Sequence, residues 1–259
     1  LKIYRQAVLV KALTGEFTAE FRSKNPTLES SESLFEKIQT KLDEAHYRAS
    51  LEAKTKGERK PKDHRKNKKA NNVTSVLPEI PEKWKYFRLE DITYIVTDGT
   101  HHTPKYKEDG VKFLSVKNVR PFYIRDEHIK YISQEEHSHL IKRCKPENGD
   151  ILYTKVGATY GYACKVHLDY EFSIFVSLCL IKPVYEFLLT DYLELLMNSE
   201  LVFKQARQRV SGSGVPDLHL IEIRDFKIPL PSVEEQQQIL RESESRLSVC
   251  DTVEQSIAE

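Results

Sequence analysis

The chain has 259 residues, 40 Lys and Arg against 39 Asp and Glu, and a net charge of +1. No apolar run in it reaches membrane-spanning length, and no signal peptide is visible. Four scattered cysteines, Cys144, Cys164, Cys179 and Cys250, lack the paired spacing of a zinc module and point to a reducing, cytoplasmic setting.

In chain order, Ile3, Ala7, Val10 and Leu13 recur at helical spacing, and Gly15 is placed as a stop. A second helix carries Leu34, Ile38, Leu42, Ala45 and Ala49 on one face, with Glu44 and Arg48 as a favourable i,i+4 pair, and ends at Gly57. The opening residues read as the tail of a helix, and Met197 is the only methionine, so the segment is expected to be the C-terminal portion of a longer chain. Nine Lys and Arg between Lys54 and Lys69 face only Glu58 and Asp63, a local surplus of seven that leaves the remainder acidic. With Pro61 and few apolar residues, this stretch reads as a solvated linker or a phosphate-touching arm.

The middle is different. Strand-like runs fall at 86–89, 92–97, 111–116, 151–154, 163–166 and 174–181, and helices at 134–142, capped by Ser133 with Glu136, and at 191–210. Strands with irregularly interspersed helices predict an α+β domain with a mixed, curved β-sheet, flanked by long coiled-coil-type helices at both chain ends. The expected divisions are a helical region at 1–57, a basic linker at 58–77, the globular domain at 78–231 and a long helix at 232–259.

Residues 225–240 read as a short strand, a turn locked by Pro229 and Pro231, and a helix launched by a Ser232–Glu235 capping box. Seven-residue spacing from Leu240 is obeyed by Leu240, Leu247, Cys250 and Ile257 but not by Ser243 or Glu254. The stripe fits a seam against another helix, with Ile3 and Val10 as its counterparts at the other end, or an amphipathic helix folded back on its own domain. At 1.5 Å per residue the rod is roughly 40 Å long.

Four loops at strand ends carry Lys, Arg, Asn, Thr and Tyr: 98–106, 117–120, 150–161 and 211–218. These residue types suit contacts to phosphates and base edges, although each loop alone is ordinary turn chemistry. Catalytic readings fare worse. His101-His102 lacks a companion carboxylate or Cys pair for a metal, and the 157–161 loop is not a P-loop because Lys155 precedes its glycines. The favoured contacts are Lys117, Asn118, Arg120, Lys155, Thr159, Tyr160 and Ser213, with His101, Thr103 and Lys105 behind them.

At this point the order of several pieces resembles the specificity subunit of type I restriction-modification systems, in its C-terminal half with one target-recognition domain. The pieces are Arg5-Gln-Ala-Val-Leu9 with Gly15-Glu-Phe-Thr18, Leu77-Pro-Glu-Ile-Pro-Glu-Lys-Trp84 with Arg88-Leu-Glu-Asp-Ile92, Asp98-Gly-Thr-His101, Gly149-Asp-Ile-Leu152 with Lys155-Val-Gly157, Ser211-Gly-Ser-Gly214, and Ile228-Pro-Leu-Pro231 with Glu235-Gln236. The resemblance implies a protein without chemistry or cofactor of its own. It would read one half of a split double-stranded DNA site and dock methyltransferase subunits, which carry S-adenosylmethionine, with motor-nuclease subunits able to join. It further implies a ruler, in which one added helical turn shifts the preferred spacer by roughly one to two base pairs. A balance of 21 basic and 21 acidic residues between Glu82 and Ser232 requires any DNA face to be a local cluster. The competing readings are a self-pairing half-specificity subunit, a helical interaction scaffold and a standalone metal-dependent DNA nuclease.

Overall fold

A computed structural model describes residues 2–63, 65, 77–210 and 214–258, with the backbone alone at 2 and 250–258. Three helices, α1 (Lys2–Leu13), α2 (Ala19–Lys24) and α3 (Ser31–Thr55), precede an α+β body. That body runs β1 (Tyr86–Arg88), β2 (Thr93–Asp98), β3 (Val111–Leu114), β4 (Val119–Arg120), β5 (Tyr123–Ile124), β6 (Lys130–Ile132), α4 (Gln134–Leu140), β7 (Ile151–Thr154), β8 (Ala163–Lys165), β9 (Phe172–Ile174) and β10 (Leu178–Pro183). It closes with α5 (Thr190–Met197), α6 (Glu200–Arg209), α7 (Leu220–Arg224), β11 (Lys227–Pro229) and the long α8 (Val233–Ala258).

The central sheet is antiparallel in the order β2-β10-β7-β8, and a smaller mixed sheet runs β6-β3-β9 with β3 and β9 parallel. Two short pairs, β1-β11 and β4-β5, complete an unclosed arrangement. Side chains alternate across a strand. Thus Ile151, Tyr153, Cys179 and Ile181 enter one buried cluster, while Leu152, Leu178 and Leu180 enter a second on the opposite face. With apolar layers on both faces, β7 and β10 read as continuous apolar runs instead of alternating ones.

The larger cluster reaches far outside the sheet. It joins Leu9, Ala12 and Leu13 of α1, Leu34, Ile38 and Leu42 of α3, Trp84, and Ile239 of α8. The terminal helices are therefore rooted in the same core as the sheet. From there α8 extends over 26 residues, about 39 Å at 1.5 Å per residue.

Helices α1 and α8 pack directly on each other, but the packed faces differ from the heptad expectation. Ser243, an exception to the apolar stripe, is buried with Ile239, whereas Leu240 and Leu247 lie beside them only partly buried. On α1 the buried set is Val8, Leu9, Ala12 and Leu13; Val10 is half-buried and Ile3 is 87% exposed. Burial against a broad domain core wins over a narrow two-helix seam, which rotates both faces. Cys250 and Ile257 have no described side chains.

Two long runs in the sequence are broken. The run at 174–181 is split between β9 and β10 by a turn in which Leu178 N donates to Phe175 O. The run at 191–210 is two helices. Asn198 turns its side chain onto the β8 edge, accepting from Ala163 N at 3.0 Å and donating to Ala163 O at 2.9 Å, and Ser199 Oγ donates to Leu196 O at 2.6 Å. Local side-chain bonds of this type compete with helix continuation.

Candidate nucleic-acid interface

One end of the central sheet gathers the loops singled out in the sequence. Lys155 N donates to Ser177 O, Val116 N donates to Ser177 Oγ, and Leu218 N donates to Lys155 O. Thr100 N reaches Ile174 O at 3.1 Å, and Val176 N returns to Thr100 O at 3.0 Å. Gly99 permits this crossing, because a Cβ there would stand 2.0 Å from Ile174 O. Segments separated by more than a hundred residues are thereby stitched into one loop surface.

Asp98 is the electrostatic centre beneath it. Its carboxylate is buried and accepts from Arg143 Nη2 at 2.6 Å and His101 Nε2 at 3.2 Å, with Lys155 Nζ 3.9 Å away. Arg143 also donates to the Asp98 and Gly99 carbonyls. Lys155 lies between Asp98 and Asp217, whose Oδ1 is 3.5 Å from its ammonium, and the lysine side chain is 6% exposed. Two carboxylates neutralise a buried cation here, as burial of charge requires. Lys155 is thus a strut under the loops and not a donor on their surface.

Asn118 has the same kind of position. It is 1% exposed, its Oδ1 accepts from Ser115 N at 3.0 Å, and its Nδ2 donates to Glu127 O at 3.2 Å. Arg125 N donates to the Asn118 carbonyl at 2.7 Å. An asparagine that satisfies the backbone of its own loop shapes that loop and leaves no amide edge for a base. Lys117 beside it is exposed. Arg120 is partly buried, with one guanidinium nitrogen donating to the Val119 and Val116 carbonyls.

In the 154–162 loop, Thr154 Oγ1 donates to Thr159 O at 2.6 Å and accepts from Tyr162 N at 2.8 Å. Thr159 and Tyr160 are half-buried, and the Tyr160 ring stacks on Phe203 with centroids 5.5 Å apart. Gly161, at φ +94°, allows Phe203 to sit where a Cβ would stand 2.7 Å away. His101, Thr103 and Lys105 are exposed, whereas Ser213 lies outside the described residues.

Several residues at this end escape a reading by loop composition. Arg143 follows α4 and joins the site only through the fold. His102 and His139 line a depression with Thr100, His101 and Arg143. Phe122 and Tyr123 on the β4–β5 hairpin are about half exposed; the signal was the continuation of the basic 117–120 loop through Pro-Phe-Tyr to Arg125. Among the described residues no group of three or more His, Cys, Asp or Glu is placed to hold a metal ion.

The opposite pole is a polar joint where the helices meet the body. Glu235, buried at the start of α8, accepts from Thr18 Oγ1 and Arg22 Nη1, each at 2.6 Å, and from Trp84 Nε1 at 2.8 Å. The Ser232 hydroxyl caps Glu235 N at 3.2 Å, so half of the expected capping box forms and the glutamate serves tertiary partners instead. Gln236 accepts from Leu189 N and donates to Phe187 O, both at 2.9 Å. Ser31 at the start of α3 accepts from Lys85 N and donates to Leu230 O. Nearby, Glu90 lies 2.7 Å from Arg88 and 3.5 Å from Arg224, and burial pushes its carboxyl above the ordinary value against both cations.

Thr18, Trp84, Glu235 and Gln236 of this joint are among the landmarks by which the sequence resembles a known family, and comparison bears the resemblance out. A profile described as the type I restriction modification DNA specificity domain matches residues 81–244, more than half of the chain. The chain belongs to this family. Among its relatives are the EcoBI specificity subunit of Escherichia coli, 26% identical over 69% of this chain and 38% of that subunit, and the EcoDI specificity subunit of the same organism, 23% identical over 99% of this chain and 49% of that one. The chain thus spans half or less of the length of these specificity subunits. A chain solved in work on complex assembly and conformational transition of the type I R-M system shares the fold, with a TM-score of 0.53, 17% identity and coverage of 88% of this chain and 52% of that one. Among the described residues, no helix of this specificity-domain protein is long and apolar enough to cross a membrane.

Proposed function

We propose that this chain is the DNA-reading part of a type I specificity subunit, recognising one half of a bipartite double-stranded site and performing no chemistry itself. The observation that carries this reading is the convergence of four strand-end loops on one surface, opposite a rigid joint from which the helices leave. On that surface Lys105, Lys117, Arg125 and Arg143 are exposed while the acids Asp98 and Asp217 are already engaged with cations. Such a surface positions itself by phosphate contacts and discriminates through base-edge contacts. Lys155, Asn118 and Tyr160 hold the loops in shape, and Lys117, Arg120, His101, Thr103, Lys105 and Thr159 are the candidates to reach DNA.

The helical pole is where methyltransferase subunits would dock, bringing S-adenosylmethionine with them, and motor-nuclease subunits could add to that assembly in the cytoplasm. Sequencing methylated adenines in cells with and without this protein tests the reading. A split motif, two short elements around an unspecified spacer, should be present with it and absent without it. Methylation that persists unchanged on deletion would overturn the proposal.

A further inference from the structure

The β4–β5 hairpin combines strain, exposure and charge in a way that folding does not account for. Arg120 pairs with Tyr123 across it, so its loop is the dipeptide Pro121-Phe122. Proline fixes φ near −65°, and Phe122 has φ +70°. These are the φ values of a type II turn, whose third position favours glycine because a Cβ is strained there. A bulky aromatic at that position is an outlier.

The strain is not repaid by burial. Phe122 remains 48% exposed and the adjoining Tyr123 49% exposed. The turn is nevertheless held firmly. Phe122 N donates to Ala163 O at 3.0 Å, which pins the tip to the first residue of β8, and Asn118 bonds both arms of the loop. The structure therefore fixes an apolar ring outward on a braced stem.

Charge names the partner. Residues 117–125 contain Lys117, Arg120 and Arg125 and no acidic residue. The acids that follow are occupied: Asp126 accepts from Tyr170 Oη and lies 3.7 Å from Lys112, and Glu127 lies 4.0 Å from Arg125. An apolar ring collared by cations, beside the loops assigned to DNA, matches a groove of a duplex, where phosphates flank the only apolar surfaces on offer. Those surfaces are thymine methyls and the faces of bases at an opened step.

We propose that Phe122 is an apolar base contact, carried into a DNA groove by a basic finger at residues 117–125, and that it sets base preference at one or two adjacent positions of the recognised half-site. This inference rests on the DNA-reading function proposed above and adds the residue and the kind of contact.

The test uses the full protein with its methyltransferase subunits, a random-sequence duplex library, and the variants Phe122→Gly and Phe122→Asn, both of which tolerate the left-handed backbone. Wild-type protein should enrich a motif. Both variants should lose roughly tenfold in affinity for the enriched duplex and lose preference at one or two neighbouring positions. Affinity for scrambled duplexes should stay within about twofold, and the melting temperature of Phe122→Gly should be no lower than wild type, because strain is relieved. Replacing thymine by uracil at the affected position separates the two apolar surfaces: an equal loss for wild type assigns the methyl group, and no loss assigns an opened step.

An unchanged motif and affinity would overturn the finger while leaving DNA reading intact. So would an equal loss on scrambled duplexes, or a lower melting temperature in Phe122→Gly, since either gives the ring another role. If wild-type protein enriches no sequence at all, the function proposed above falls and the finger falls with it.

Discussion

The two poles of this molecule handle polar groups in opposite ways. At the helical joint, Glu235 satisfies three donors from two separate segments and is 2% exposed. At the loop pole the buried carboxylate, Asp98, is likewise saturated, but it supports side chains that face solvent, with Arg143 and His101 each more than half exposed. The joint uses its polar groups to close the structure, and the loop pole uses them to hold donors open. Mutations at the joint should therefore act through stability, and mutations at the loop surface through binding.

The largest expected loss is Trp84→Ala. The indole is 3% exposed and bonded to Glu235, and its removal should cost about 3–5 kcal/mol in denaturant-induced unfolding. Glu235→Ala should follow at about 3 kcal/mol by the same measurement, because the Thr18 hydroxyl and Trp84 N–H lose their acceptor and Arg22 its counter-charge. Asp98→Asn, at the other pole, should cost about 2 kcal/mol and also weaken duplex binding, since Arg143, His101 and the buried Lys155 lose a shared partner.

Glu90 gives a pH test of the joint. Burial raises its folded pKa above the ordinary 4.5, so over the window between the two values the folded state holds a proton that the unfolded chain has released. Its contribution to stability is full below that window and falls as pH rises through it. The difference in unfolding midpoint between wild type and Glu90→Gln, measured across the window, should show this downward slope. The smallest stability effect is expected for Lys117→Ala, within about 0.5 kcal/mol. It should instead weaken site and scrambled duplexes alike and reduce the salt-dependence slope of binding by about one.

The same contrast explains what was legible in the sequence. The Pro-Leu-Pro-Ser turn, the helix start at Glu235-Gln236 and the Trp84 region could be read because a joint built on specific residue types leaves a fixed pattern. The apolar runs gave β2, β7 and α3, since burial on a sheet or helix has a period. The break at Asn198-Ser199 was not legible, because it depends on the β8 edge reached through the fold. Residue type alone marks Lys155 and Asn118 as DNA contacts. Their burial follows from Asp98, Asp217 and the turns at 115–127, which no local window contains. For Phe122 the basic run at 117–125 is legible in the sequence, but the left-handed φ that turns its ring outward is a property of the folded turn.

The central claim, that sequence reading resides in the strand-end loops and not in the joint, is tested most directly by exchange. Residues 98–105, 115–125 and 155–162 would be replaced by those of a relative, and methylated adenines mapped in cells carrying the otherwise intact system. The account predicts that one element of the split motif changes while the other element and the spacer stay the same. A motif unchanged in both elements, in a protein whose melting temperature matches wild type, would contradict it.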